Sequence, residues 1–76
     1  MKIVYLEWED ANTTLGWHDP DKNETAMIRS CGLLVNKTKK AVTISTCQSR
    51  HGRHLDQLNV PASQIRKFKV LKKLPR

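Results

Sequence analysis

Within residues 41–46, "AVTIST", positions 42–45 alternate apolar and polar. An extended strand sends successive side chains to opposite faces, so this run reads as a strand with one dry side. Val42 and Ile44 are expected inward, with Thr43 and Ser45 outward. "KIVYLEW" (2–8) is β-branched and aromatic, with Val4, Leu6 and Trp8 on one face and Ile3 and Tyr5 on the other. "AMIRSCGLLVNK" (26–37) is a second strand, and Gly32 inside it marks a bulge or a sharp bend. "NKTKK" (36–40) turns the chain into "AVTIST". "QLNV" (57–60) supplies a fourth strand, with Leu58 and Val60 inward, ended by Pro61, which has no N–H to donate. "PASQI" (61–65) reads as one 3₁₀ turn. "RKFKVLKKL" (66–74) sets Phe68 and Val70 against Lys67 and Lys69 and forms the fifth strand.

The expected fold class is therefore all-β: five short strands, one 3₁₀ turn and a long loop after the first strand. At 76 residues the chain is one domain, 1–76, with an acidic loop over 9–25 and a basic tail over 73–76. That loop, "EDANTTLGWHDPDKNET", is punctuated by Gly16 and Pro20 and is long for so small a domain, which points to function. Leu15 or Trp17 is expected to anchor it. The tail is expected to fray.

Charge is divided along the chain. Residues 1–28 hold six acids (Glu7, Glu9, Asp10, Asp19, Asp21, Glu24) against Lys2 and Lys22. Residues 29–76 hold twelve bases and one acid, Asp56, and the total is +7. A basic body of this kind attracts polyanions. The plainer alternative is that the lysines solubilise a small domain and guard its strand edges.

The N-terminal run "MKIVYLEWEDANT" is broken at Glu7 and does not read as a signal peptide, and no stretch approaches a membrane span. The expectation is a cytoplasmic protein, without membrane contact, whose two cysteines are reduced thiols.

The strand pattern resembles the SH3-like or Sm-like small β-barrel. The residues that carry the resemblance are "CGLLVNKTKKAVTIST" followed by "LNVPASQIRKFKVL", about residues 27–72. It implies that Ile65 enters the core. In Sm-like proteins a short Asp- or Asn-bearing loop reads RNA bases; "LVNKTKKAV" does not reproduce it, so no binding residue is carried over. The whole chain also resembles a group of small phage and prophage proteins of unknown function. The shared features are Trp8 and Asp10, Gly16–Trp17, "SCGLLV" and "VPASQI". That resemblance implies phage origin, hence the host cytoplasm, and an accessory or regulatory role. It names no activity.

Cys47, His51 and His54 have the spacing C-x₃-H-x₂-H, and Cys31 on the neighbouring strand extends the set to four zinc-type ligands. Strand parity aims Cys47 away from Val42 and Ile44, and Arg50 and Arg53 interleave with the histidines. No metal site is expected. A Cys–His pair also raises nucleophilic catalysis. The chain has no nucleophile elbow or phosphate-cradling glycine loop, and His18, Asp19 and Asp21 read as a solvated loop. No enzyme activity and no cofactor are expected.

The expected function is sequence-nonspecific, salt-sensitive nucleic-acid binding. Its candidate residues are Arg50, His51, Arg53 and His54 in one loop, Lys37, Lys39 and Lys40 at a turn, and Arg66, Lys67 and Lys69 on the last strand, with Lys72 and Lys73 beyond. Loops at one rim of a small barrel are expected to merge these into one patch. The alternative is a protein-interaction module that binds and modulates a host protein through Trp17, an interface-type residue that equally suits the barrel core. Open strand edges also favour a homo-oligomer.

Overall fold

A computed structural model describes residues 1–10 and 26–75. The expectations placed on Leu15, Gly16, Trp17, His18, Asp19, Pro20 and Asp21 lie outside the described residues.

Among the described residues, seven strands and one 3₁₀ turn follow each other in the order β1 (Lys2–Asp10), β2 (Ala26–Lys37), β3 (Ala41–Ser45), β4 (Cys47–Gln48), β5 (His54–Leu55), β6 (Leu58–Pro61), the turn Ala62–Gln64, and β7 (Ile65–Lys73). Five of them form an antiparallel sheet in the order β6-β3-β2-β1-β7, and β4 and β5 pair as a separate small hairpin. Among the described residues, no helix is long and apolar enough to cross a membrane.

The sheet is strongly curled. Its edge strands, β6 and β7, would lie roughly 19 Å apart if five strands were laid flat. They are joined only by Ala62–Gln64, which spans about 8 Å as a 3₁₀ turn. The curl is visible elsewhere too. Lys37 at the end of β2 places its ammonium 4.2 Å from the centre of the Phe68 ring on β7, although β1 separates those strands in the sheet.

The curl stops short of closure. β6 and β7 do not pair, so the five strands make an open, antiparallel sheet and not a closed barrel. β6 is four residues long and ends at Pro61, which has no donor to offer a ladder. β7 carries two register shifts against β1, between Ile3 and Val4 and between Glu7 and Trp8, which leave Leu71 and Arg66 unpaired on β7. Such bulges break the regular spacing of donors and acceptors.

β2 changes neighbour at Leu33. Residues 26–33 pair with β1, and Leu33–Lys37 pair with β3. Gly32 is in regular register with Val4, so it makes no bulge; the bulge of β2 is at Val35. Glycine is required at 32 by a close approach: a Cβ there would meet the Ser45 carbonyl oxygen at 2.7 Å and Ile44 Cβ at 3.3 Å. Gly32 thus stands next to Leu33, where the strand passes from one partner to the next.

The core is formed by Val4, Leu6 and Trp8 of β1, Val42 and Ile44 of β3 and Val60 of β6, with Ile28, Leu34, Ile65 and Phe68 packed against it. Trp8 is 9% exposed, and its indole N–H donates to Ser30 Oγ at 3.1 Å. Leu58 shares the face of Val60 but lies at the open rim and is partly exposed, as is Val70 on the opposite edge.

Two sequence expectations are corrected. Ser45 is 2% exposed rather than solvated, because the β4–β5 hairpin folds over the outer side of β3 and brings His54 onto it. The tail does not leave the body at 73: Lys73 pairs with Lys2, and the Leu74 N–H donates to the Met1 carbonyl at 2.7 Å.

Candidate nucleic-acid interface

Strand alternation puts Ile3, Tyr5, Glu7 and Glu9 on the side of β1 away from the core, since Val4, Leu6 and Trp8 are buried. Both neighbours of β1 place cations beside them. Lys67 and Arg29 flank Glu7, Lys69 and Cys31 flank Tyr5, and Lys72 and Leu33 flank Ile3. Lys67, Lys69, Lys72 and Arg29 are all exposed. The outer surface of β7, β1 and β2 thus carries a row of positive charge with one aromatic ring inside it.

Two of the acids within this field are engaged. The Tyr5 hydroxyl donates to the Glu7 carboxylate. That hydrogen bond, with partial burial and the Glu7 charge, raises the Tyr5 phenol above its ordinary value, against the opposing pull of Arg29. Arg66, displaced at its bulge, donates through Nε to Glu9 at 2.6 Å and through its terminal nitrogen to the Ser63 carbonyl at 2.8 Å. Its charge is partly spent. Lys67, Lys69, Lys72 and Lys73 form no ion pair with another described residue.

The β4–β5 hairpin carries Arg50, His51 and Arg53 at its exposed tip. Ser49 builds the turn: its N–H donates to the Arg53 carbonyl at 2.8 Å, its carbonyl accepts from Gly52 at 3.0 Å, and its hydroxyl accepts from the Arg53 N–H at 3.1 Å. Gly52 has φ +85°, a left-handed conformation that glycine adopts without strain. Arg50 lines an open groove with Gln48, Ser49, Leu33, Leu74 and Met1. Leu33 belongs both to this groove and to the row of Ile3 and Lys72. The hairpin therefore continues the outer surface of the sheet.

His54 is placed differently from its neighbours. Its Nδ1 lies 2.6 Å from the hydroxyl of buried Ser45, which makes it a fastening point for the hairpin.

Lys37, Lys39 and Lys40 lie at the other end of β3. Thr38 shapes their turn, its hydroxyl accepting from the N–H groups of Lys40 and Ala41 at 3.2 Å each. The Ala62 N–H donates to the Lys40 carbonyl at 2.8 Å, so this turn abuts the start of β7. Lys37 is committed to Phe68. The hairpin cations and the turn cations are thus separated by the length of β3 rather than gathered at one rim, and β7 runs between their two ends.

Sequence reading missed Arg29 and Tyr5 as members of this surface. The alternation of "KIVYLEW" already separated Tyr5 from the core residues. The missing information was the register that puts Lys69 beside it.

Among the described residues, no three His, Cys, Asp or Glu side chains converge on a point where a metal would be held. Cys31 and Cys47 are exposed free thiols. Neither a protein-family model, nor a curated protein, nor a solved structure was found that matches the chain.

Proposed function

We propose that the chain is a non-enzymatic nucleic-acid-binding protein of the phage accessory kind, and that its binding face is the outer surface of β7, β1 and β2 continued by the Arg50–Arg53 hairpin. The observation that carries this reading is the register that aligns exposed Lys67, Lys69 and Lys72 beside β1, with Arg29 on its far side. A field of exposed cations holds phosphates and carries no sequence code, so binding is backbone-led and weakly selective. The strand order, with a 3₁₀ turn before a last strand that returns to the first, supports kinship with SH3-like and Sm-like small barrels as the finer fold reading. The resemblance to small phage proteins supports action in the host cytoplasm.

The test is a salt titration of binding to single- and double-stranded oligonucleotides. Affinity falls steeply with salt, and Arg50→Ala with Arg53→Ala weakens it. Absence of binding to both at low salt overturns the reading.

A second reading, docking of a host protein or of a second copy, is favoured by Leu71. It is 51% exposed on β7, an edge strand of the sheet, where it offers an apolar side chain to a partner. A protein partner captured with no salt-sensitive oligonucleotide binding would select it.

A further inference from the structure

A cationic surface alone does not distinguish a duplex from a single strand, because both present phosphates. What separates them is access to a base face. In a duplex every base is stacked on its neighbours; in a single strand a base is free to stack on a protein ring.

The described aromatic residues differ sharply in what they offer. Trp8 is 9% exposed and belongs to the core. Phe68 packs against that core from β7, and the Lys37 ammonium stands over its ring at 4.2 Å. Tyr5 is on the opposite side of the sheet, half-buried, between Lys69 and Cys31. Its hydroxyl reaches Glu7, two residues along the same strand. The ring is therefore laid along β1 and held in one orientation, and its polar end is already satisfied. What remains for a ligand to meet is ring carbon, with Lys67, Lys69 and Arg29 close by for the adjoining phosphates.

Resting on the nucleic-acid reading above, we infer that the ligand is single-stranded and that an unpaired base stacks on the Tyr5 ring. The lysines beside it hold the flanking phosphates. Glu7, flanked by Lys67 and Arg29 and occupied by the phenol, orients the ring. The surface then selects single strands over duplex without reading sequence, because every base has a π-face.

The experiment compares the affinity of the full chain for a short oligothymidine and for a duplex of equal length, at one low salt concentration. Tyr5→Ala is expected to weaken the oligothymidine complex roughly tenfold or more and to leave the duplex complex unchanged. Tyr5→Phe keeps the ring but gives up the bond to Glu7 that orients it; it is expected to weaken the oligothymidine complex far less than Tyr5→Ala does and to leave the duplex complex unchanged. Should Tyr5→Ala not fold, Tyr5→Leu against Tyr5→Phe decides, since leucine keeps apolar bulk and lacks a π-face. Equal effects of these variants on both ligands, or none on either, overturn the stacking inference. If Lys67→Ala with Lys69→Ala still weakens both complexes in that case, polyanion binding stands without stacking. Failure of the unsubstituted chain to bind either ligand overturns the underlying reading as well.

Discussion

Ser45, the last residue of β3, and His54, the first of β5, meet at 2.6 Å through Oγ and Nδ1. This contact spans nine residues of chain and fixes the hairpin that carries Arg50 and Arg53 against the sheet. His54→Ala leaves a buried hydroxyl to find another partner, at a cost of about 1–3 kcal/mol. Urea denaturation should show that loss, and the same variant should bind oligonucleotides more weakly because its hairpin is no longer held beside the lysines. Stability equal to that of the unsubstituted chain would refute the fastening role.

The two faces of the sheet should respond very differently to truncation. Leu6 is fully buried, and Leu6→Ala opens a cavity costing about 2–5 kcal/mol. Lys67→Ala, on the exposed side, should change stability by no more than about 0.5 kcal/mol. Denaturation midpoints measured side by side check both. A large loss from Lys67→Ala would mean that the outer face is covered.

Gly32 and Gly52 are needed for different reasons, and alanine at each separates them. At 32 the new Cβ would lie 2.7 Å from the Ser45 carbonyl oxygen, so β2 and β3 must part, at about 1–3 kcal/mol. At 52 the space is open, and only the positive φ resists, at about 1–2 kcal/mol. Gly32→Ala should also disturb Ser45 and hence oligonucleotide binding. Hydrogen exchange of the β2–β3 amides would report the parting; protection unchanged in Gly32→Ala would contradict the close approach.

Tyr5 is the only tyrosine of the chain, so its titration can be followed by absorbance. The hydrogen bond to Glu7 raises its folded value above the ordinary one. The neutral phenol is then the form that stabilises the fold. Its contribution is fully present below the unfolded phenol value, about 10, and is lost as pH rises through the higher folded value. Glu7→Ala should bring the absorbance midpoint back toward that of free tyrosine. An unmoved midpoint would show that the phenol is not held by Glu7, and would remove the reason for its fixed ring.

Arg66 should matter less for binding than its position among lysines implies. It is tied to Glu9 and to the Ser63 carbonyl, whereas Lys69 has no ion pair among the described residues. Arg66→Ala is expected to weaken oligonucleotide binding less than Lys69→Ala. As an exposed ion pair it should contribute no more than about 1 kcal/mol to stability. The reverse order of affinities would mean that Arg66 leaves Glu9 for the ligand.

Much of this fold is legible in the sequence because alternation is a local property. Val4, Leu6, Trp8, Val42, Ile44 and Val60 declare their inward side by parity alone, and all six are buried. Pro61 and the turn residues mark where strands stop. The buried Ser45 is not legible, because what covers it comes from His54 in the next hairpin. The bulges at Arg66 and Leu71 are not legible either, because they appear only once the register with β1 is known. For the same reason the sequence shows lysines on the last strand but not that they flank Tyr5.

The most direct measurement is the slope of affinity for a single-stranded oligonucleotide against salt, for the unsubstituted chain and for the variant with Lys67, Lys69 and Lys72 all replaced by alanine. Each phosphate contact contributes roughly 0.7 to the slope for a single strand. The account predicts a steep slope for the unsubstituted chain, and a slope shallower by about 2 for the triple variant. No binding at low salt, or an identical slope in the two proteins, would contradict it.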